Sequence, residues 1–251
     1  MTLLTYLLFG LLTFITQCIE AVTGFGSTVT ALPFGIALVG LTNARPVFAG
    51  TSLVMCLYIA IRERHHIAWK VYALIIAFVL VGMPVGMWAF SSFDDVTLRR
   101  ILGVVVFLIA LRGLYFQLRN KTYDMTASGQ PKIGLNCLWL IVGGMVHGAF
   151  VSGGPFIIVY AAKALQDKSV FRATMCMIWV TLNIIVAVQD ISQGHFTPFV
   201  LRLLVVSFLF TIASVYVGNI LHKKCKPETF TTLVYIILLL SGAFMVINSL
   251  M

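Results

Sequence analysis

Val151-Ser-Gly-Gly-Pro155 interrupts an apolar run, with 135–150 before it and 156–165 after it. In hydrocarbon an unpaired backbone N–H or C=O costs several kcal/mol, so a broken backbone is tolerated only where protein or a watery cavity surrounds it. Pro155 suits the first position of a new helix, where its missing N–H would be unpaired anyway. The amides around Gly153 and Gly154 then point off a helix N-terminus and carry partial positive charge, which fits a small anion. The plainer reading is a glycine kink that lets two helices pack closely.

A second copy favours the anion. Gly24-Phe-Gly-Ser27 breaks another apolar run near the start of the chain. An offset of 127 carries Gly26 to Gly153, Arg45 to Arg172 and Glu20 to His147, and an offset of 132 carries Gly86 to Gly218 and Thr97 to Thr229. Repeats whose interrupted helices meet near the midplane mark a transporter binding site.

Composition sets the class. At 60% hydrophobic and 10% charged, the 251 residues describe an integral membrane protein rather than a water-soluble domain. The net charge of +9 is then assigned to loops on one membrane face, with no nucleic acid implied. The opening Met1-Thr-Leu-Leu-Thr-Tyr lacks the basic region of a signal peptide, so the first apolar stretch is expected to be a retained span. The five cysteines show no metal spacing and read as small packing residues.

Ten apolar segments follow, at about 3–22, 27–41, 46–61, 71–90, 99–118, 134–150, 155–165, 172–189, 199–221 and 230–250. A full span needs ~20 residues. Segments 27–41 and 155–165 fall short, and each is either re-entrant or one arm of a broken span. Each repeat then crosses an odd number of times, so the second is inverted relative to the first. With the N-terminus outside, thirteen of the seventeen Lys and Arg fall on the inner face and four on the outer. That bias is what the positive-inside rule demands. The expected fold is an all-α integral membrane protein of two inverted repeats, about five segments each, with a glycine-rich break near the midplane in each. The first repeat is 1–120, a cytoplasmic connecting loop is 121–133, and the second repeat is 134–251. Both termini lie on the non-cytoplasmic side of a bacterial inner membrane.

The substrate is expected against Gly24, Phe25, Gly26, Ser27 and Thr28 from one half, and Ser152, Gly153, Gly154, Pro155 and Asn183 from the other. Ionisable groups at membrane depth are costly and carry a functional hypothesis by default. Glu20 and His147, each about a turn before a break, are candidates for coupling a proton to the anion; the plainer readings are a paired carboxylate and a hydrogen-bonded imidazole. Arg45 and Arg172, at the exits of the short segments, are candidate entrance residues that draw anions inward, or else they cap helix carbonyls. Thr51, Ser52 and Gln189 can face a cavity or bond a neighbouring helix. No Walker, zinc or nucleophile-elbow motif is present, so no cofactor, metal or catalytic residue is expected and the chain is not read as an enzyme.

The chain resembles the sulfite exporter TauE/SafE family, also called the toluene sulfonate uptake permease family. The resemblance rests on Gly24-Phe-Gly26 and Pro33 in the first half. In the second it rests on Gly153-Gly-Pro155, Tyr160, Phe171-Arg-Ala173 and Asn183. It implies a secondary transporter of small sulfur-containing anions such as sulfite, sulfoacetate or other organosulfonates. Partners are then a small anionic substrate, the lipid bilayer, a coupling ion (proton or sodium) and, optionally, further copies in a homo-oligomer. The rival readings are an anion channel with a static filter and a non-transport scaffold subunit.

Overall fold

The computed structural model describes residues 3–118, 133–165 and 167–224. Within them lie nine α-helices and one short 3-10 turn, with no strand. In chain order they are α1 (Leu3–Thr23), α2 (Ser27–Val39), α3 (Leu41–Arg62), α4 (Trp69–Ser92), α5 (Asp95–Leu118), α6 (Ile133–Phe150), α7 (Gly154–Ala164), α8 (Lys168–Ser192) and α9 (Pro198–Lys224); the turn, Arg64–His66, joins α3 to α4. The expected tenth segment, 230–250, and residues 121–132 of the connecting loop lie outside the described residues, while Ile133 already begins α6.

The helix limits follow from local chemistry. Gly40, at φ 81°, supplies the left-handed residue that separates α2 from α3. Asp167 caps α8, its Oδ1 accepting from the amides of Ser169 and Val170 at 2.9 Å each. Asp94 does the same before α5, accepting from the amides of Val96 and Thr97 at 3.1 Å and from the Thr97 hydroxyl at 2.6 Å. Those bonds hold the Asp94 carboxyl below the usual carboxylate range.

Five helices are long and apolar enough to cross a membrane: α1, α3, α4, α8 and α9 as far as Leu221. Shorter apolar helices are α2, the Cys137–Phe150 part of α6, and α7. In α3 and α8, 67% of the apolar window is buried, against 28–39% in the other three, so these two form the centre. The most extensive remaining packings are α4 on α6 and α1 on α9. The α4–α6 crossing is glycine-made. A Cβ on Gly82 or Gly86 would strike the carbonyl of Ile141 or Met145, and one on Gly144 or Gly148 that of Val79 or Met83. Without side chains there, the backbones approach as closely as small-residue interfaces allow.

Candidate functional site

Helix boundaries fall at both glycine stretches. α1 stops at Thr23 and α2 starts at Ser27, while α6 stops at Phe150 and α7 starts at Gly154. Gly24 and Gly26 have φ 83° and 97°, and Val151 has φ 55°. A β-branched residue in the left-handed region stores of order 1–3 kcal/mol, held here by the surrounding packing. Neither α2 nor α7 has a side-chain cap at its N-terminus, and Pro155 sits in the first turn of α7.

The breaks meet at one cavity. Its lining takes Gly26, Thr28 and Val29 from the first break, and Val151 and Gly154 from the second. Glu20, Ser52, His147, Trp179 and Asn183 complete it. Its volume is ≈ 20 Å³, slightly more than the roughly 10–15 Å³ that one water requires. In this conformation the site is therefore nearly closed.

The wall has two chemically different parts. On one, the buried Glu20 carboxylate accepts from the Ser27 hydroxyl, from Ser52 Oγ at 3.1 Å and from Cys56 Sγ at 3.6 Å. Asn183 Nδ2 donates to Ser52 Oγ at 3.2 Å, extending the network. On the other, the His147 ring stacks on Trp179 with centroids 5.5 Å apart and planes 13° from parallel. Trp179 Nε1 donates to the Gly24 carbonyl at 2.8 Å, fixing the first break against α8. Neither ring nitrogen of His147, nor Asn183 Oδ1, has a hydrogen-bond partner among the described residues. Buried polar atoms are usually paired, so these three are groups a ligand or water would satisfy.

Among the residues singled out from sequence, Glu20, Gly26, Thr28, Ser52, His147, Gly154 and Asn183 line the cavity, and Ser27 reaches it through Glu20. Gly24 contributes its carbonyl to Trp179 and has its α-carbon packed against the Arg172 backbone. Phe25 turns away to an edge-on contact with Phe171, centroids 6.3 Å apart. Ser152 donates to the Phe150 carbonyl at 2.9 Å. Gly153 packs against the Gly143 carbonyl and His147 Cβ, so its contribution is close approach of α7 to α6.

Arg45 and Arg172 stand near the N-terminal ends of α3 and α8, at 0% and 2% exposure. Arg45 pairs with Asp190 and Arg172 with Glu63. Burial without a partner would be prohibitive for either charge, and the carboxylates make it possible. Sequence reasoning missed Trp179, Cys56, Glu63 and Asp190. The signal was present in the offset of 127, which carries Glu63 to Asp190, Ser52 to Trp179 and Cys56 to Asn183.

A model of the sulfite exporter TauE/SafE family matches residues 9–245. No curated protein and no solved structure matches the chain.

Proposed function

The chain belongs to the sulfite exporter TauE/SafE family, a family of membrane transporters, and from that premise we propose that it is a secondary carrier of small sulfur-containing oxyanions. The observation that carries this reading is the shared cavity, walled by both helix breaks together with Glu20 and His147. Sulfite, sulfoacetate and other organosulfonates present several acceptor oxygens and no obligatory donor. Uncapped helix N-termini suit them, because amides carrying partial positive charge converge without a fixed cation. Gly154 opens the α7 terminus to the ligand, and the free ring nitrogens of His147 supply a donor once the ring carries the matching proton.

Glu20 makes the coupling. An oxyanion beside an ionised carboxylate in so small a space is repelled, and a proton on Glu20 removes the repulsion. Anion and proton then promote each other's binding, as linkage requires. Transport proceeds by alternating access, since a cavity of about one water must open to take up or release an anion.

Two inverted repeats, 1–120 and 134–251 joined by a cytoplasmic loop, supply the moving parts in this reading, in a bacterial inner membrane with both termini outside. Helix packing supports it. Exchange of the repeats turns α1 on α9 into α6 on α4 and returns α3 on α8 to itself, and these are the three dominant packings. A tag at either terminus should be reachable only from the non-cytoplasmic face; a cytoplasmic tag would refute the inverted arrangement.

The function is tested by a thermal-shift series of the purified protein with sulfite, sulfate, thiosulfate and organosulfonates, since binding to the folded state raises apparent stability. Counterflow in proteoliposomes follows. Saturable exchange of a stabilising anion is expected; stabilisation by none of them refutes the substrate class, and non-saturable flux favours a channel.

A further inference from the structure

The central helices α3 and α8 run antiparallel, with an arginine–carboxylate pair at each end. Arg45 and Glu63 are separated by about 27 Å along α3 at 1.5 Å per residue, and Arg172 and Asp190 by the same span along α8. The offset of 127 carries Arg45 to Arg172 and Glu63 to Asp190. The two pairs are therefore one device written twice, once for each face of the bundle.

They are not in the same state. Arg45 and Asp190 are paired with 0% side-chain exposure on both partners. Arg45 Nη2 also donates to Gln189 Oε1 and to the Gly148 carbonyl, both at 2.9 Å, and its guanidinium carbon lies 3.9 Å from the Phe90 ring centroid. Gln189 Nε2 donates to the Met87 carbonyl at 3.1 Å, and His195 Nδ1 lies 3.0 Å from Asp190 Oδ1. One point thus ties α3, α4, α6 and α8, and Gly148 directly follows His147 of the cavity wall. Arg172, in contrast, lies 3.3 Å from Glu63 Oε1, and the Glu63 side chain is 23% exposed. Both residues line an open cavity of ≈ 1090 Å³ between α3, α8 and α9, with Tyr58 and Asn219 beside them. The central site has ≈ 20 Å³.

We propose that Arg45–Asp190 and Arg172–Glu63 are the two gates of the transport cycle, both paired in this conformation, with the fully buried Arg45 pair the tighter and the Arg172 pair the one that borders open space. The assignment rests on the carrier reading. A bound anion would pass each arginine only when that arginine has left its carboxylate, so opening one pair exposes a guanidinium to the passing ligand. Closing the other keeps the site from conducting as a pore.

Thiol labelling tests this without any substrate. Cys18, Cys137, Cys176 and Cys225 are replaced by alanine, leaving Cys56, whose Sγ lies 3.6 Å from Glu20 Oε1. A membrane-impermeant thiol reagent is applied to sealed vesicles of either orientation. Removing one member of a buried ion pair strongly destabilises the closed arrangement, so Asp190→Asn should raise labelling from the His195 face by about tenfold or more and lower it from the Arg172 face. Glu63→Gln should shift the two faces in the opposite sense. Gln189→Ala, which leaves no buried charge unpaired, should repeat the Asp190→Asn pattern with smaller amplitude and covers the case in which that variant does not fold. Labelling that rises alike on both faces, or that stays at the starting level in Gln189→Ala and Glu63→Gln, overturns the gates and leaves two structural ion pairs. Face-switching labelling in a protein that exchanges no sulfur anion would instead refute the substrate and leave the gates standing.

Discussion

Gly154→Ala separates binding from folding more cleanly than any other glycine change in the two breaks. A Cβ built on Gly154 meets only the Trp179 ring, at 3.7 Å, an ordinary van der Waals distance. The residue begins α7 with no left-handed backbone, so alanine should change stability by no more than about 1 kcal/mol, with helix propensity favouring the variant. The added methyl group nevertheless stands in the wall of a cavity open by ≈ 20 Å³. It screens the α7 terminus from an oxyanion, and a tenfold loss of affinity corresponds to about 1.4 kcal/mol. Other positions confound the two effects. Gly26→Ala places a side chain at φ 97°, costing roughly 1–2 kcal/mol of strain, and Gly153→Val drives atoms into the Gly143 carbonyl. The assay is ligand-induced thermal stabilisation across an anion titration, with the melting point without ligand as the folding control. We expect an unchanged melting point and an affinity reduced about tenfold or more. A folded Gly154→Ala variant that binds as tightly as the wild type would remove this cavity from the anion site.

Glu20→Gln should flatten the pH dependence of net transport with counterflow exchange largely kept; an unchanged pH profile excludes Glu20 as the proton site. His147→Gln should flatten the profile as well if the imidazole shares the proton, and should instead only lower stability if the ring is a packing element on Trp179. Gly82→Val should destabilise the α4–α6 crossing by about 1–3 kcal/mol or more through overpacking, read as a lowered unfolding midpoint in detergent; a wild-type midpoint would mean the crossing is looser than its carbonyl contacts indicate. Because the Asp94 carboxyl is held below the usual range, its cap contributes fully above the ordinary carboxylate value and is lost as pH falls through the depressed one. Amide exchange at the start of α5 should therefore quicken in acid, and Asp94→Ala should abolish that pH dependence.

Most helix limits were legible because glycine, proline and apolar length act locally. Segment 155–165 became Gly154–Ala164 and segment 3–22 became Leu3–Thr23, both within a residue or two. Two shifts occurred at charged residues. The reading began the third segment at 46 and ended the eighth at 189, whereas α3 starts at Leu41 and α8 runs on to Ser192. Hydropathy counts Arg45 and Asp190 as two separate reasons to stop. In space they neutralise each other, so both continue a buried helix. The same cancellation hid the Arg172–Glu63 pair. Trp179 was illegible for the opposite reason: an indole in an apolar run reads as core, and only its bond to the Gly24 carbonyl gives it a place in the site. Asn183 was legible because an amide within an apolar span has no such disguise.

The offset of 127 reaches further than the motifs that first suggested it. It pairs Glu20 with His147, Gly24 with Val151, Ser27 with Gly154, Ser52 with Trp179 and Cys56 with Asn183. At Gly24 and Val151 the backbone is left-handed in both copies, even though one copy has a residue that resists it. Backbone shape thus agrees between the halves at this position. Side-chain chemistry does not. The first-half members gather a carboxylate, two hydroxyls and a thiol into one network. The second-half members supply a stacked imidazole and indole, an amide and a bare helix start. A site with two identical halves would bind two like ligands or one symmetric ligand. A site whose halves share a frame but differ in side chains can hold two unlike species next to each other. The division observed here, acceptors around Glu20 and an open helix N-terminus at Gly154, fits the proposed pairing of one proton with one anion.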